Sequence, residues 1–464
     1  MKTVTTTRPS LRAAVLAALA SLLIAGCSST SFRAEKATAP FPAYPETSFA
    51  VFSDPHVFLP ELGIGQPAFE KIKFDDRKIF EHSVSLLNAV IDKIIEAKPH
   101  FVLVPGDLSK DGEEAVHLAV AAALERIKAA DIPVFVIPGN HDVNNPESVR
   151  FDADTTSRIP NVSPARFAEI YRDFGYDAAI ERDPSSLAYV VEPSPGLWLL
   201  ALDACRYDLS AKETHEHTAG SFTPERLAWV KKMLERARAE NKAVIVMMHH
   251  GVVEHFPGQK KQFAAYIVED NDAFSRMLAE YGVRAVFTGH FHAQNIAGAW
   301  WDARDAKSTP PSPRFLYDIE TGSLVTYPCP YRLVQIGADQ LMQVRSFHIE
   351  SLPEMPTGFP DFARDYSRKG MFPYIERVLM GYGISRKEAD TIAEPLTEAG
   401  IAHYAGDAHF TGSQMYPTKN LSFMGSLAIA MKKDVIEGMW KGALPHADNN
   451  IDINLADGTY RAVP

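Results

Sequence analysis

Between residues 48 and 290 the chain alternates short apolar runs with longer amphipathic stretches, and that alternation restricts it to a small set of folds. The runs are SFAVFSD (48–54), HFVLVPGD (100–107), PVFVIPGN (133–140), LWLLALD (197–203), AVIVMMHH (243–250) and RAVFTGH (284–290). Each reads as a strand entering the middle of a sheet. Between them, HSVSLLNAVIDKIIEA (82–97) and AVHLAVAAALERIKAA (115–130) have the spacing of amphipathic helices. A third helix is predicted after Thr223-Pro224, where a good N-cap precedes proline in the first helical position. The segment 333–349 alternates like a strand pair around a turn and is expected to close the sheet. This makes residues 47–353 an α/β domain. After Pro353 the texture changes to helical patterns, with a capping box at Ser385 and Glu388 and a hairpin around Asp457-Gly458. Residues 354–464 are therefore predicted as a mainly helical second domain.

The polar residues fall at the carboxyl ends of the runs. Asp54-Pro55-His56 ends the first, Gly106-Asp107 the second and Gly139-Asn140-His141-Asp142 the third; His249-His250 and Gly289-His290-Phe291-His292 follow the last two. Sites in open α/β sheets form beyond the carboxyl ends of strands, so these motifs should converge. Carboxylate, imidazole and amide oxygen without thiolate suit divalent ions such as Mn, Fe, Co, Ni or Zn. Seven candidate ligands exceed what one catalytic ion holds and fit two. A carboxylate can bridge a pair of ions and an imidazole cannot, so the bridge falls to Asp54 or Asp107.

Asp-x-His, Gly-Asp, Gly-Asn-His-Asp, a later strand-end histidine and Gly-His-x-His, in this order, resemble the calcineurin-like metallophosphoesterase superfamily over roughly residues 50–300. The resemblance implies a four-layer α/β/β/α sandwich, here with a C-terminal mainly helical addition. It implies that Asp54, His56 and His292 hold one metal, that Asn140, His249 and His290 hold the other, and that Asp107 bridges them. His141 would be the acid beside the substrate and Asp142 would orient its ring. Gly251 follows the histidine pair where many members have proline, which bears on the loop more than on the ligand. The implied cofactors are two divalent ions (Mn, Fe, Zn or similar), and the implied reaction is phosphate-ester hydrolysis by a hydroxide bridging them. A neutral amide at Asn140 leaves such a centre with excess positive charge to attract phosphate. The glycines before Asp107, Asn140 and His290 are expected to let the backbone turn sharply.

Lys110-Asp111-Gly112-Glu113 resembles the GDLxxxGE run of cyclic-nucleotide phosphodiesterases, and equally suits a helix start. The leading expectation is a phosphodiesterase acting on a small ester, with a cyclic nucleotide as one candidate. A phosphomonoesterase or nucleotidase is the alternative, favoured by any excess of Arg or Lys in the pocket. A non-enzymatic surface-binding lipoprotein is a third reading. A net charge of −11 argues against a nucleic-acid scaffold. His250 and His255 are further pocket candidates. His215 and His217 in ETHEHT suit a solvated loop better than a metal, and His403, Asp407 and His409 form a weaker cluster. Arg332 is either a phosphate partner or part of a proline-punctuated edge strand, and Cys205 and Cys329 are candidates for a disulfide.

The N-terminus bears on compartment. Lys2, Arg8 and Arg12 precede an apolar run, 13–26, too short to span a bilayer and sized like a signal-peptide core. It ends in Leu23-Ile24-Ala25-Gly26-Cys27, which resembles a bacterial lipobox with Cys27 as the acylated residue. Residues 1–27 are thus read as a signal peptide and 28–46 as a flexible tether. Ser28 after the cysteine suits the outer membrane, so the protein is expected to be exported and bilayer-anchored, facing the periplasm.

Overall fold

The computed structural model describes residues 41–212, 215–301, 311–406, 416–417 and 419–464. Strand β8 (Leu197–Leu202) shows why the fold has layers. Its Leu197, Leu199 and Ala201 enter one core, while Trp198, Leu200 and Leu202 enter another. A strand covered on both faces can be apolar throughout, which is why its sequence lacks polar alternation. β9 (Ala243–Met248) repeats the division, with Ile245 and Met247 facing inward and Val244, Val246 and Met248 outward.

Among the described residues two seven-stranded sheets form. The first runs β16 (Tyr460–Ala462), β15 (Ile451–Asn454), β14 (Leu341–His348), β13 (Pro330–Ile336), β1 (Thr47–Val51), β2 (Phe101–Val104), β3 (Val134–Val136). The second runs β11 (Asn295–Trp301), β12 (Arg314–Glu320), β10 (Ala285–Thr288), β9, β8, β7 (Tyr189–Ser194), β6 (Glu181–Arg182). β4 (Val149–Phe151) and β5 (Thr156–Arg158) form a separate ribbon. Phe49 of β1 meets Phe287 of β10 edge to face at 5.0 Å, joining the sheets through their inner faces.

Parallel neighbours need crossovers, and helices supply them. α1 (Ser83–Ala97) links β1 to β2, and α2 (Glu114–Lys128) links β2 to β3. α1 buries Leu86, Leu87, Val90, Ile91 and Ile94, one face of a helix. α3 (Pro224–Ala239) and α4 (Asn271–Glu280) cover the outer face of the second sheet through Trp229, Met233, Phe274 and Leu278. Thr223 Oγ1 accepts from the Arg226 N–H at 3.4 Å, the predicted cap. The result is the expected α/β/β/α sandwich.

The C-terminal helices are α5 (Phe359–Gly381), α6 (Arg386–Ala405) and α7 (Phe423–Lys441). They lie in sequence between β14 and β15, which pair with each other, so the helical segment is an insertion within one sheet. The predicted hairpin forms, but as the edge of that sheet. Ser385 caps α6 by accepting from Glu388 N–H, while Glu388 Oε1 accepts from Ser422 N–H at 2.6 Å, so its carboxylate serves the start of α7. The proline-punctuated edge strand expected at Arg332 is a correction: β13 lies between β14 and β1. Pro328 precedes that strand and Pro330 is its first residue, so its interior loses no donor.

Candidate metal centre

The ends of β1, β2 and β3 in one sheet and of β9 and β10 in the other meet at a single place. Asp54 N–H donates to Gly106 O at 3.2 Å, His56 N–H to Asp107 O at 2.9 Å, and Gly289 N–H to His249 O at 3.0 Å. The backbone strain sits on the candidate ligands themselves. Asp54 (φ 49°), His56 (34°), Asp107 (51°), His290 (78°) and His292 (66°) all occupy left-handed conformations, which non-glycine residues rarely adopt. The flanking glycines only partly do what their sequence suggested. Gly106 does turn with φ 97°, whereas Gly139 is needed for space, since a Cβ there would stand 2.1 Å from Asp107 Oδ1.

Two donor clusters result, Asp54–His56–Asp107–His292 and Asp107–His249–His290, sharing Asp107. His56 Nε2 lies 3.1 Å from His292 Nε2, 3.4 Å from Asp107 Oδ2 and 3.8 Å from Asp54 Oδ1; His292 Nε2 lies 3.4 Å from Asp54 Oδ1. In the other cluster His249 Nε2 is 3.3 Å from Asp107 Oδ2 and 3.0 Å from Asn140 Oδ1. Ligand atoms bonded at about 2.1 Å to one tetrahedral ion stand about 3.4 Å apart, the same spacing. Asp107 reaches both clusters with one oxygen, Oδ2, because Oδ1 accepts from His141 N–H at 3.0 Å.

The proton positions decide whether these groups fit a cation. His249 Nδ1 lies 2.9 Å from the Pro105 carbonyl, which can only accept, so Nδ1 carries the proton. Nε2 faces Asp107 Oδ2 and the Asn140 oxygen; burial pushes this imidazole down, yet Asp107 outweighs burial and lifts it to about 9, so Nε2 holds a proton that a bound cation would replace. The Asn140 Nδ2 donates to Glu216 Oε2 at 3.2 Å, which fixes Oδ1 towards His249. The other imidazoles are arranged likewise: His56 Nδ1 faces Ser109 O at 3.3 Å, and His290 Nε2 faces Ala265 O at 3.3 Å. Lone pairs converging on lone pairs in a buried place call for a positive ion between them. Burial holds His56 and His290 well below the usual imidazole range, which keeps them available as ligands. Burial would raise Asp107, but His249, His141 and His56 hold its carboxyl well below the usual carboxylate range.

His141 lines the open side. Its Nδ1 is 2.8 Å from Asp111 Oδ1, so Asp111 orients the ring. Burial and Lys78 push this imidazole down, yet Asp107 and the Asp111 bond outweigh them and lift it to about 9. The role expected of Asp142 is thereby corrected. Its carboxylate turns away and accepts from the N–H groups of Leu108, Ser109 and Gly139 and from Ser109 Oγ, at 2.8–3.1 Å. It is a strut between the loop carrying Asp107 and the loop carrying Asn140.

Several other candidates lie elsewhere. His250 Nε2 faces Thr218 O at 2.9 Å and its ring is buried beside His249 and His290, off the cleft. His255 is buried against Asp318 and Glu320, at 3.3 and 3.5 Å, also off the cleft. Arg332 is no phosphate partner: it is buried and donates to Ser346 Oγ and to the carbonyls of Glu320, Asp448 and Asn449. His215 pairs with Glu147 on an exposed loop. His403 packs under Phe256 and Phe291; Asp407, His409 and Cys27 lie outside the described residues. Cys205 and Cys329 are buried free thiols. Sequence reasoning passed over Glu216 and the orienting role of Asp111. Asp111 stands within the run that resembles GDLxxxGE, and Glu216 between two histidines that drew attention instead.

The clusters open into a cleft of about 1310 Å³ lined by Asp107, Asn140, His141, His290 and His292 on one side and by α5, α6 and α7 on another. Five cationic and six anionic side chains among the described residues line it.

A two-sheet sandwich whose strand ends gather carboxylates, imidazoles and an amide around a cleft is a metallophosphoesterase architecture. The chain belongs to the calcineurin-like phosphoesterase family, whose model matches residues 47–294. Members of this family use divalent metals, and the residues gathered here can hold such ions. A probable glycerophosphodiester phosphodiesterase, GpdQ, from Arcobacter nitrofigilis is 28% identical over 203 residues, which is 43% of this chain and 58% of that protein. The chain thus spans a little over half the length of that relative. The DNA double-strand break repair protein Mre11 of Methanococcus maripaludis is 43% identical over 56 residues, 11% of this chain and 15% of that protein. Among solved structures, a dimetal phosphatase from Danio rerio aligns with 14% identity and a TM-score of 0.43, over 66% of this chain and 96% of that one. A purple acid phosphatase from yellow lupin aligns with 12% identity and a TM-score of 0.43, over 67% and 53%.

Proposed function

We propose that the protein hydrolyses a phosphodiester at a pair of divalent ions. The observation that carries this is the placement of His249: its Nδ1 donates to a carbonyl, which leaves Nε2, beside Asp107 Oδ2 and Asn140 Oδ1, as the atom that a bound cation would take in place of a proton. Asp54, His56 and His292 would hold one ion, Asn140, His249 and His290 the other, with Asp107 shared. When bound, such a pair acidifies a water and withdraws charge from the phosphoryl oxygens. The chain's own groups do the rest. Asp111 holds His141 so that its Nε2 faces the cleft, where its proton can pass to the departing ester oxygen as the P–O bond breaks. Glu216 keeps the Asn140 amide from flipping.

Diester preference is supported by the named activity of the GpdQ relative. The cleft's charge does not separate diesters from monoesters: with His141 counted as a cation, six positive side chains face six negative ones. Lys110 is paired with Asp111, and Lys78 is the cleft lysine whose charge acts on His56, His141 and His292. The run resembling cyclic-nucleotide enzymes favours no base in particular, since Asp111 N–H and Glu113 Oε2 bond each other and Asp111 holds His141. A panel of mono-, di- and cyclic phosphate esters, run after loading with Mn, Fe or Zn, tests the reading. Diesters should be turned over with higher kcat/KM than their monoesters. Monoester preference, or no turnover with both ions bound, overturns it. We further propose that acylated Cys27 anchors the protein to the outer membrane. Mass spectrometry of the mature N-terminus should find a lipidated cysteine, and an unmodified serine or threonine start would refute this.

A further inference from the structure

The cleft has a second wall that phosphate chemistry does not need. On the side away from the ligand clusters it is lined by α5, α6 and α7 with Ile375, Val378, Leu396, Ile429, Val435 and Met439, among others. At about 1310 Å³ it exceeds the range of about 300–1,000 Å³ typical of small-ligand sites. Part of this wall is open to solvent, since Tyr374 is 50% and Val378 39% exposed. Ile375, Leu396 and Ile429 also belong to the helices' own core, so this wall is that core's open edge. Here they share one cavity with Asp107, Asn140, His141, His290 and His292. A polar head at the clusters and an apolar body along the helices would both be matched.

We propose that the substrate is an amphiphilic phosphodiester, with its phosphate at the ligand clusters and a long alkyl or acyl chain along the wall formed by α5, α6 and α7. The inference rests on the phosphodiesterase reading and adds the class of group esterified. Hydrolysis is ordinary in its balance: water adds to phosphorus, one P–O ester bond breaks and the departing oxygen takes a proton. Apolar burial contributes about 0.8 kcal/mol per methylene, or about fourfold in affinity when burial is complete. Even half of that compounds to about a hundredfold over seven methylenes.

The test is a series of alkyl 4-nitrophenyl phosphodiesters, methyl to octyl, below their critical micelle concentrations, with the metal-loaded full chain. The octyl-to-methyl ratio of kcat/KM should reach about a hundredfold, and Val378→Asp and Leu396→Asp should each cut that ratio at least tenfold. Because the ratio is internal to each protein, a loss of folded material cancels. A ratio near one in the wild type, or a steep ratio unchanged in both variants, overturns the inference. If no diester in the series is hydrolysed, the phosphodiesterase reading falls and binding decides the rest. Titration calorimetry with octylphosphonate and methylphosphonate should then show tighter octyl binding, and equal affinities would sink the apolar subsite.

Discussion

Asp107 is the residue on which the centre turns, because one of its oxygens faces both clusters while the other is tied to the His141 N–H. Asp107→Ala should therefore lose both ions rather than one. Metal analysis should show well under one ion per chain, and kcat/KM should fall by about 10³-fold or more. His141 and its neighbours separate three roles that look alike in sequence. His141→Gln should keep its metals and lose about 10²–10³ in kcat. Asp111→Asn should keep its metals too, lose about tenfold in kcat and move the alkaline limb of the pH profile to lower pH, since the carboxylate that supports the imidazolium is gone. Asp142→Ala should instead lower Tm and metal content, because the N–H groups of Leu108, Ser109 and Gly139 lose their acceptor. A profile for Asp142→Ala matching that of Asp111→Asn would return the orienting role to Asp142. Adjacency misled here: in a tight turn consecutive side chains diverge, so the group next to His141 in sequence is not the one beside its ring.

Elements whose two faces are both apolar are legible from sequence, and β1, β2, β3, β8, β9 and β10 are of this kind. β12 is not, because Asp318 and Glu320 stand in a strand buried from Phe315 onward and read as polar surface. Their presence also explains His255, which the loop after β9 delivers to those carboxylates instead of to the cleft. Asp318 Oδ2 accepts from Val252 and Val253 N–H, and Oδ1 from Thr288 Oγ1, so β12 holds that loop in place. Burial raises Glu320 to about 8 against the pull of His255. Burial lowers His255, but Asp318 and Glu320 outweigh it and lift it to about 9. Both groups hold their protons more tightly folded than unfolded. The stability they contribute is present at low pH and is lost as pH rises, from about 4.5 to 8 for Glu320 and from about 6.5 to 9 for His255. Thermal melts should show Tm falling by roughly 1–3 °C between pH 6 and pH 9, and Glu320→Gln should flatten the fall. A fall of equal size in that variant would place the titration elsewhere.

At the scale of the whole molecule the clusters join the two sheets. Asp54, His56, Asp107 and Asn140 follow strands of the first, and His249, His290 and His292 follow strands of the second. The helical insertion between β14 and β15 then supplies the far wall of the cleft. That arrangement was beyond sequence, since nothing local marks two distant strands as neighbours. Bound cations would thus be cross-links between layers as well as chemical groups, and would relieve the repulsion among buried acceptors and lone pairs at left-handed backbone positions. An ion present at about a hundred times its Kd stabilises by about 2.7 kcal/mol, so two contribute about 5 kcal/mol. For a chain of this size that corresponds to a rise in Tm of about 6 °C. Calorimetry of chelator-stripped protein against protein reloaded with Mn or Zn should show this rise, and Asp107→Ala should show almost none of it. The unstripped protein should exchange amide hydrogens slowly at 54–56, 106–107 and 289–292, and chelation should accelerate exchange at all three segments together, because they belong to one cage. Acceleration confined to one segment would mean that the sheets are held together without the ions.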